Sequence, residues 1–445
     1  MTDCCSTPTV TLGLPNFDNL QARCLQGVTA LIIWTIWSFN PRYTSIPFLV
    51  ALLAPIPVVL LAADSLSRRP LVTRIPWLKS RKAIPLFAIA TAVFAAGTIN
   101  AVRSPTPTTD QPVTLLCAAQ NIRSGIDPYT TYEPQCYRQV NYEHLNVTPL
   151  ETGPFAKDTH YPSQTALTRA LHRDERNGTH AGFPAFGYPP DAALLLLPIA
   201  YSNWTVVALW VAMLCLILGI TIWREHIPAR TYMVAWQLGA LGLLLLAFGW
   251  NPEYISYLLL AAGFALIHRA RWSALALAAA VCTNPLAWLA APIYLAITAH
   301  YPQFKSRLMW LTGGSALLVL PWLIWDHALI AQMWRFITMP EFPIGAALGQ
   351  FAHLPSTSHH IYFVAFIAAI LIATFVAWRF EGWMWSMVVA VYLAFFVSWR
   401  GPIYYYLPAL WLTPAVIAGQ YRMNLRWGKC LIASPGSVDE AADPG

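Results

Sequence analysis

Residues 360–378 read HIYFVAFIAAILIATFVAW, an apolar run without a single Asp, Glu, Lys or Arg. A helix needs about 20 such residues to cross the hydrocarbon of a bilayer, which is about 30 Å thick. Runs of this kind recur through the 445 residues, and we read twelve: 25–39, 46–63, 84–103, 204–223, 232–249, 253–267, 272–284, 285–299, 308–325, 360–378, 384–399 and 404–420. Several are short. The 272–299 stretch could be one long helix or two short ones. Pro285 favours a break at Thr283-Asn284-Pro285, because proline cannot continue the helix hydrogen-bond ladder. Composition agrees with a membrane solvent: 57% of residues are hydrophobic and 11% are charged, whereas a soluble protein carries about a quarter charged residues. The expected class is all-α and polytopic.

The chain holds 27 Lys and Arg against 20 Asp and Glu. Such an excess could serve nucleic acid, but its placement reads otherwise. Arg68, Arg69, Arg74, Lys79, Arg81 and Lys82 form one cluster. Smaller ones follow at Arg224 and Arg230, Arg269 and Arg271, Lys305 and Arg307, and Arg422, Arg426 and Lys429. With twelve spans, all fall on the side of the N-terminus, the pattern in which short basic loops stay cytoplasmic. Both termini are then cytoplasmic. The scheme requires the apolar run Asp191–Tyr201 to lie at the outer surface rather than cross. No cleavable leader is expected, since the first twenty residues are polar. Residues 434–445 read as a short disordered tail.

Between the third and fourth spans lies a polar loop, from roughly Ser104 to Phe186, which this topology places outside the cytoplasm. Long ordered loops that interrupt a compact architecture are usually functional. It contains Gly125-Ile126-Asp127-Pro128-Tyr129 and closes at Gly187-Tyr188-Pro189-Pro190-Asp191. Of eight cysteines only Cys117 and Cys136 lie in it, and an oxidising compartment would let them pair. Sequons stand at Asn146, Asn177 and Asn203. The middle, from Tyr137 to Thr179, reads as an acceptor-facing or lid region by location rather than by motif. There is no Gly-rich phosphate loop, no Walker lysine, and no His-x-x-x-His or Cys-x-x-Cys pattern. An enzyme acting on that side would more readily draw an energised donor from a lipid than from a soluble nucleotide sugar.

Asp110, Ala118-Ala119, Ser124-Gly125-Ile126-Asp127-Pro128-Tyr129 and Phe186-Gly187-Tyr188-Pro189-Pro190 together resemble glycosyltransferase family 87, of the C-type superfamily of membrane glycosyltransferases. The family pattern is an outward helix, an acidic residue soon after, a Gly-x-Asp-Pro-Tyr turn, and a Tyr-Pro-Pro opening a surface helix that ends in a proline such as Pro198. Trp250-Asn251-Pro252 stands where the family often shows Gly-Gln-x-Asn, and Asn284-Pro285 where it often shows Lys-Pro. The resemblance covers roughly 84–420. It implies a bundle of about twelve transmembrane helices of C-type glycosyltransferase architecture, with juxtamembrane helices in a large extracytoplasmic first core loop. Residues 1–83 would be a cytoplasmic N-terminus, two appended helices and a basic loop. Residues 84–420 would be the core, with its catalytic loop at 104–203, and 421–445 a cytoplasmic tail. The implied location is a bacterial plasma membrane. The implied activity is transfer of a hexose, mannose by the commonest precedent, from a polyprenyl-phosphate donor to a hydroxyl of a glycolipid, polysaccharide or protein acceptor.

Such a transfer needs a carboxylate to accept the acceptor's proton and donors to stabilise the departing phosphate. Inversion needs only one base, because phosphate is already a good leaving group, unlike the alkoxide of ordinary glycoside hydrolysis. Asp110 stands where the family places its acid and is the expected base; the bland alternative is a helix cap, a role Thr108 or Thr109 could also fill. Asp127 reads first as a turn residue hydrogen-bonding its own backbone, and otherwise as a substrate contact. Tyr129 could pack or present its hydroxyl. Tyr188 opens the surface helix where related enzymes often place a basic side chain, so the phosphate must find its charge elsewhere. Asp191 would suit that helix's positive pole or add a second acid to the cleft. Arg400, beside Trp399, is a candidate for the phosphate or an interfacial anchor. Glu253, His359 and His360 could line the cleft or be structural. Asp110, Asp127, Asp191 and Glu253 could attract a divalent ion, but none has metal-ligand spacing, so no metal or cofactor is expected. A lipid-linked-sugar transporter or flippase is the competing reading, and a non-catalytic envelope-assembly subunit of the same fold is a third. Transporters favour repeated halves and ionisable residues at mid-membrane depth, and neither is apparent.

Overall fold

A computed structural model describes residues 83–103, 109–130, 162–183, 186–225, 250–299, 303–326, 328–338, 359–379 and 385–398, with short pieces and single positions between them. The helices are α1 (Ala83–Arg103), α2 (Asp110–Arg123), α3 (Gln164–Asn177), α4 (Pro190–Leu194), α5 (Trp204–Glu225), α6 (Glu253–Ala265), α7 (Ala270–Thr283), α8 (Ala290–Thr298), α9 (Phe304–Trp325), α10 (Leu329–Thr338), α11 (His359–Arg379) and α12 (Trp385–Val397). Three 3-10 turns accompany them, at Gly153–Phe155, Leu197–Ile199 and Pro285–Leu289. The described residues are all-helical, without strands. Two helical segments, Phe304–Trp325 and His360–Arg379, are long and apolar enough to cross a membrane. Their outward faces carry large apolar side chains, such as Leu317 at 76% and Val364 at 65% exposure.

Helices stand where apolar runs are expected at 84–103, 204–223, 253–267, 308–325, 360–378 and 384–399. The runs at 25–39 and 46–63 lie outside the described residues. So do the Arg68–Lys82 cluster, Arg400 and residues 421–445. Of 232–249 only Leu241, Gly242 and Leu245 are described, all helical, and of 404–420 only Leu412, Ala415 and Val416.

The 272–299 stretch is broken where its proline requires. α7 ends at Thr283, Asn284 is extended (φ −148°, ψ 128°), and Pro285 opens a 3-10 turn that leads into α8. The Asn284 carboxamide oxygen accepts the Leu286 amide at 2.8 Å, so the side chain caps the new turn and satisfies an amide that has no intrahelical acceptor.

α7 is packed between α6 and α9, α6 against α5, and α11 against α12. Twelve of the thirteen residues of α6 are buried, which explains why its sequence is apolar all round rather than striped. At the Arg269 end of this core, the Ser273 hydroxyl donates to the Gly263 carbonyl at 2.6 Å and meets the Tyr294 hydroxyl at 2.7 Å. Arg307, buried there, donates to the same Tyr294 hydroxyl and to the Ile267 carbonyl at the end of α6. A cation at a helix C-terminus offsets the negative pole of the dipole. α1 crosses the chain at Gly242 closely enough that a Cβ on Gly97 would strike the Gly242 carbonyl oxygen, so small residues set this approach.

The polar loop carries a core of its own. α3 turns Leu167, Ala170, Leu171 and Asp174 inward, at helical spacing. Its apolar members pack with Val113 of α2 and with Val147, Phe155 and Phe183. Ser163 caps α3 by accepting the Ala166 amide, and Gly178 ends it in the left-handed region at φ 62°. Buried Asp174 accepts the Gly182 amide at 2.8 Å and the Thr179 hydroxyl at 3.3 Å. Within the stretch read as an acceptor-facing or lid region, residues 164–177 form a capped amphipathic helix.

Candidate functional site

Asp110 is the first residue of α2, and Thr109 occupies the cap position without a side-chain cap bond. The reading of Asp110 as the cap is thus corrected: its carboxylate enters the first turn, half-buried, near the positive pole of the helix. The next residue, Gln111, is buried, and its carboxamide oxygen accepts the Asn251 amide at 3.1 Å. Asn251 in turn accepts the Glu253 backbone amide at 2.9 Å, capping the start of α6. The Glu253 carboxylate accepts the Tyr257 hydroxyl at 3.1 Å and the Asn284 amide at 3.3 Å, and Gln111 faces it as well. Asp110 lies close enough to Glu253 for the two carboxyls to interact electrostatically. Three chain breaks thereby converge: the start of α2, the start of α6, and the kink after α7. Ser256 and Thr283, bonded hydroxyl to hydroxyl at 2.9 Å, fasten the last two.

Asp191 lies in α4, against α2, α7 and α9. Its side chain is buried, and its Oδ2 has no hydrogen-bond partner among the described residues. Burial pushes this carboxyl up to about 7 from 3.8, because desolvation penalises the charged form. Cys282, near the end of α7, is close enough to feel its charge. Of the acids named beside Asp110, then, Glu253 is engaged by donors, and Asp191 Oδ2 has no hydrogen-bond partner among the described residues.

The two motifs of the loop meet each other. Asp127 Oδ1 accepts the Tyr129 amide at 2.8 Å, an Asx turn, and Gly125 takes φ 73° before it. The Tyr129 hydroxyl donates to the Tyr188 carbonyl at 2.8 Å, and its ring lies 5.0 Å from that of Phe186. The turn residue and the tyrosine therefore have structural work: they staple the end of α2 to the segment that leads into α4. Gln120 extends the staple by donating to the Ala200 carbonyl at 2.8 Å. Tyr201 meets Ser124 hydroxyl to hydroxyl at 2.6 Å and lies under the Arg123 guanidinium. Asn203, one of the sequon asparagines, caps α5 by accepting the Val206 amide at 3.0 Å.

His360 is exposed in the first turn of α11 and takes no part in this network. His359 opens the same helix. Arg400 lies outside the described residues. Cys117 is buried and disulfide-bonded; Cys136, its expected partner, lies outside the described residues. Among the described residues no group of three His, Cys, Asp or Glu is arranged to hold a metal ion. The expected list named Glu253 but not the side chains that hold it, namely Gln111, Asn251, Tyr257 and Asn284. Only Asn251 and Asn284 carried a signal, the Asn-Pro steps at 251–252 and 284–285, each leading into a helical start; Gln111 and Tyr257 carried none.

In comparisons with known proteins, no protein family, no curated protein and no solved structure matches this chain.

Proposed function

We propose that this chain is a membrane glycosyltransferase, one that transfers a hexose from a polyprenyl-phosphate donor to an acceptor hydroxyl with Asp110 as general base. The observation that carries the reading is the seat of Asp110: a half-buried carboxylate at the start of α2, whose next residue is tied to Asn251 at the head of α6. A base must be held within hydrogen-bond reach of the proton it removes, and a first turn fastened to the buried core supplies that rigidity. Asp110 takes the acceptor proton as the acceptor oxygen attacks the anomeric carbon. The bond between that carbon and the phosphate oxygen breaks, and the lipid phosphate departs as an anion. One base suffices, and the anomeric centre inverts.

On this reading the protein belongs with glycosyltransferase family 87, whose loop motifs it resembles, and twelve spans leave both termini in the cytoplasm. Asp110, Asp191, Glu253 and Asn284 then face the extracytoplasmic side, where Arg400 is a candidate for the departing phosphate. Asp191, whose buried Oδ2 has no hydrogen-bond partner among the described residues, is a candidate contact for a sugar hydroxyl. Mannose is the first sugar to test, with glycolipid, polysaccharide and protein as acceptors.

The test incubates membranes carrying the full chain with a panel of radiolabelled polyprenyl-phosphate sugars, wild type against Asp110→Asn at matched protein levels. Incorporation by the wild type and its loss in the variant is expected. Equal turnover by both would remove Asp110 from the reaction, and incorporation by neither, across the panel, would remove the donor class.

A further inference from the structure

α10 has two unlike faces within ten residues. Leu329 and Met333, four apart, are buried against the bundle, while Ile330 and Trp334 are 62% and 60% exposed. Asp326, directly after α9, accepts the Ala328 amide at 2.7 Å and turns the chain from the end of α9 into α10. Trp334 then meets Phe363, in α11, edge to face at 6.3 Å. α10 thus bridges neighbouring ends of the two helical segments that are long and apolar enough to cross a membrane. Its apolar face continues those of its neighbours, with Ile324 of α9 and Ile361 of α11 at 71% and 62% exposure. In a bilayer, a short helix in that position, with one apolar face and a tryptophan, lies in the plane of the interface.

Arg335 follows Trp334 and is exposed. Among the described residues it has no carboxylate within ion-pair distance. Asp174, whose charge reaches the same His180 that Arg335 does, is buried and already accepts from Gly182 and Thr179. His180, on the segment after α3, feels the Arg335 charge. Among the described residues, the guanidinium therefore stands at the rim of an apolar face without a carboxylate counter-ion. Its planar fork of donors is suited to a phosphate, and a lipid headgroup is the phosphate that reaches an interfacial helix together with its chains.

We propose that α10 lies in the membrane interface and that Arg335 seats the phosphate of an anionic lipid headgroup there, with Ile330 and Trp334 against the acyl chains. This deepens the proposed function by placing a lipid-phosphate seat on the loop side of the bundle, but it needs no sugar transfer to be tested.

The full chain is reconstituted in phosphatidylcholine vesicles with a trace of a diazirine-bearing phosphatidic acid, photolysed, and mapped by mass spectrometry. Label is expected within residues 329–338. It should fall several-fold in Arg335→Gln, and several-fold again less label should appear when the diazirine sits on a phosphatidylcholine. Arg335→Lys, which keeps the charge and controls for folding, should retain more label than Arg335→Gln. Absence of label on α10, equal labelling by the two lipids, or indifference to Arg335→Gln would overturn the proposal. Loss of label on adding millimolar inorganic phosphate would overturn its lipid source. None of these readouts depends on transfer, so the result stands apart from the fate of the glycosyltransferase reading.

Discussion

Gln111 and Asn251 are 140 residues apart in the chain, yet their side-chain amides meet at 3.1 Å, both buried. This bond joins the first turn of the loop helix to the head of the most deeply buried helix of the core. Asn251 also caps that helix through the Glu253 amide, so one side chain serves both elements.

Asn251→Ala removes both bonds and leaves buried groups without partners. A loss of roughly 1–3 kcal/mol is expected, the usual cost of an orphaned buried polar group. Transfer should fall further than stability accounts for, by about 10- to 100-fold in kcat with a smaller change in KM, because Asp110 loses its anchor. Thermal melts in detergent and label incorporation measure the two effects. Gln111→Ala added to Asn251→Ala should cost less than the sum of the singles; strict additivity would mean that the pair does not couple.

Much of the architecture was legible because apolar runs and prolines act locally. Pro285 follows an extended Asn284 and opens a new turn, so the kink after α7 could be read from the Asn-Pro step, although Pro321 is carried inside α9. The Asx turn at Asp127 is equally local: Gly125 and Pro128 fix the backbone around it. Partners across the chain were not legible, since nothing in Gln111 specifies Asn251. α3 is a different case. Leu167, Ala170, Leu171 and Asp174 recur at helical spacing between Ser163 and Gly178, but the surrounding polar residues mask so short a stripe. α10 was hidden by the same brevity: its two apolar pairs, Leu329 with Met333 and Ile330 with Trp334, are offset by one position, about 100° around the helix, and only the first is buried.

Asp127 separates the structural from the chemical reading of the loop motif. Asp127→Asn keeps an oxygen for the Tyr129 amide, so stability and transfer should both stay near wild type. Asp127→Ala loses the turn bond and should cost about 1 kcal/mol, with transfer still present. If Asp127→Asn removed transfer at full stability, as Asp110→Asn is expected to do, Asp127 would move from the turn to the chemistry.

Asp191 should make stability fall with rising pH. Its folded-state pKa is raised to about 7 from 3.8 by burial. The contribution is therefore full below pH 4 and is lost as pH rises through about 7. Asp191→Asn, which stays neutral, should melt higher than wild type at pH 7–8, and the difference should vanish near pH 4. A wild-type melting curve whose pH response between 4 and 7 is unchanged by the substitution would show that the fold does not hold this carboxyl neutral. If Asp191 also contacts the sugar, the more stable Asn variant should show a raised KM.

Leu171 tests whether the loop core supports Asp110. The side chain is 2% exposed and packs in the small cluster that includes Val113, three residues after Asp110 on α2. Leu171→Ala should cost about 2–5 kcal/mol at that cluster, the range for buried leucines. Because α9 and α11 do not belong to the cluster, the loss should be local. Limited proteolysis should accelerate between residues 150 and 183 while the fragments carrying α9 and α11 persist, and transfer should decline with the loop. Arg173→Ala, on the exposed side of the same helix, should lie within about 0.5 kcal/mol of wild type. If Leu171→Ala left both the proteolytic pattern and transfer untouched, the loop core would have no hold on the residue proposed as the base.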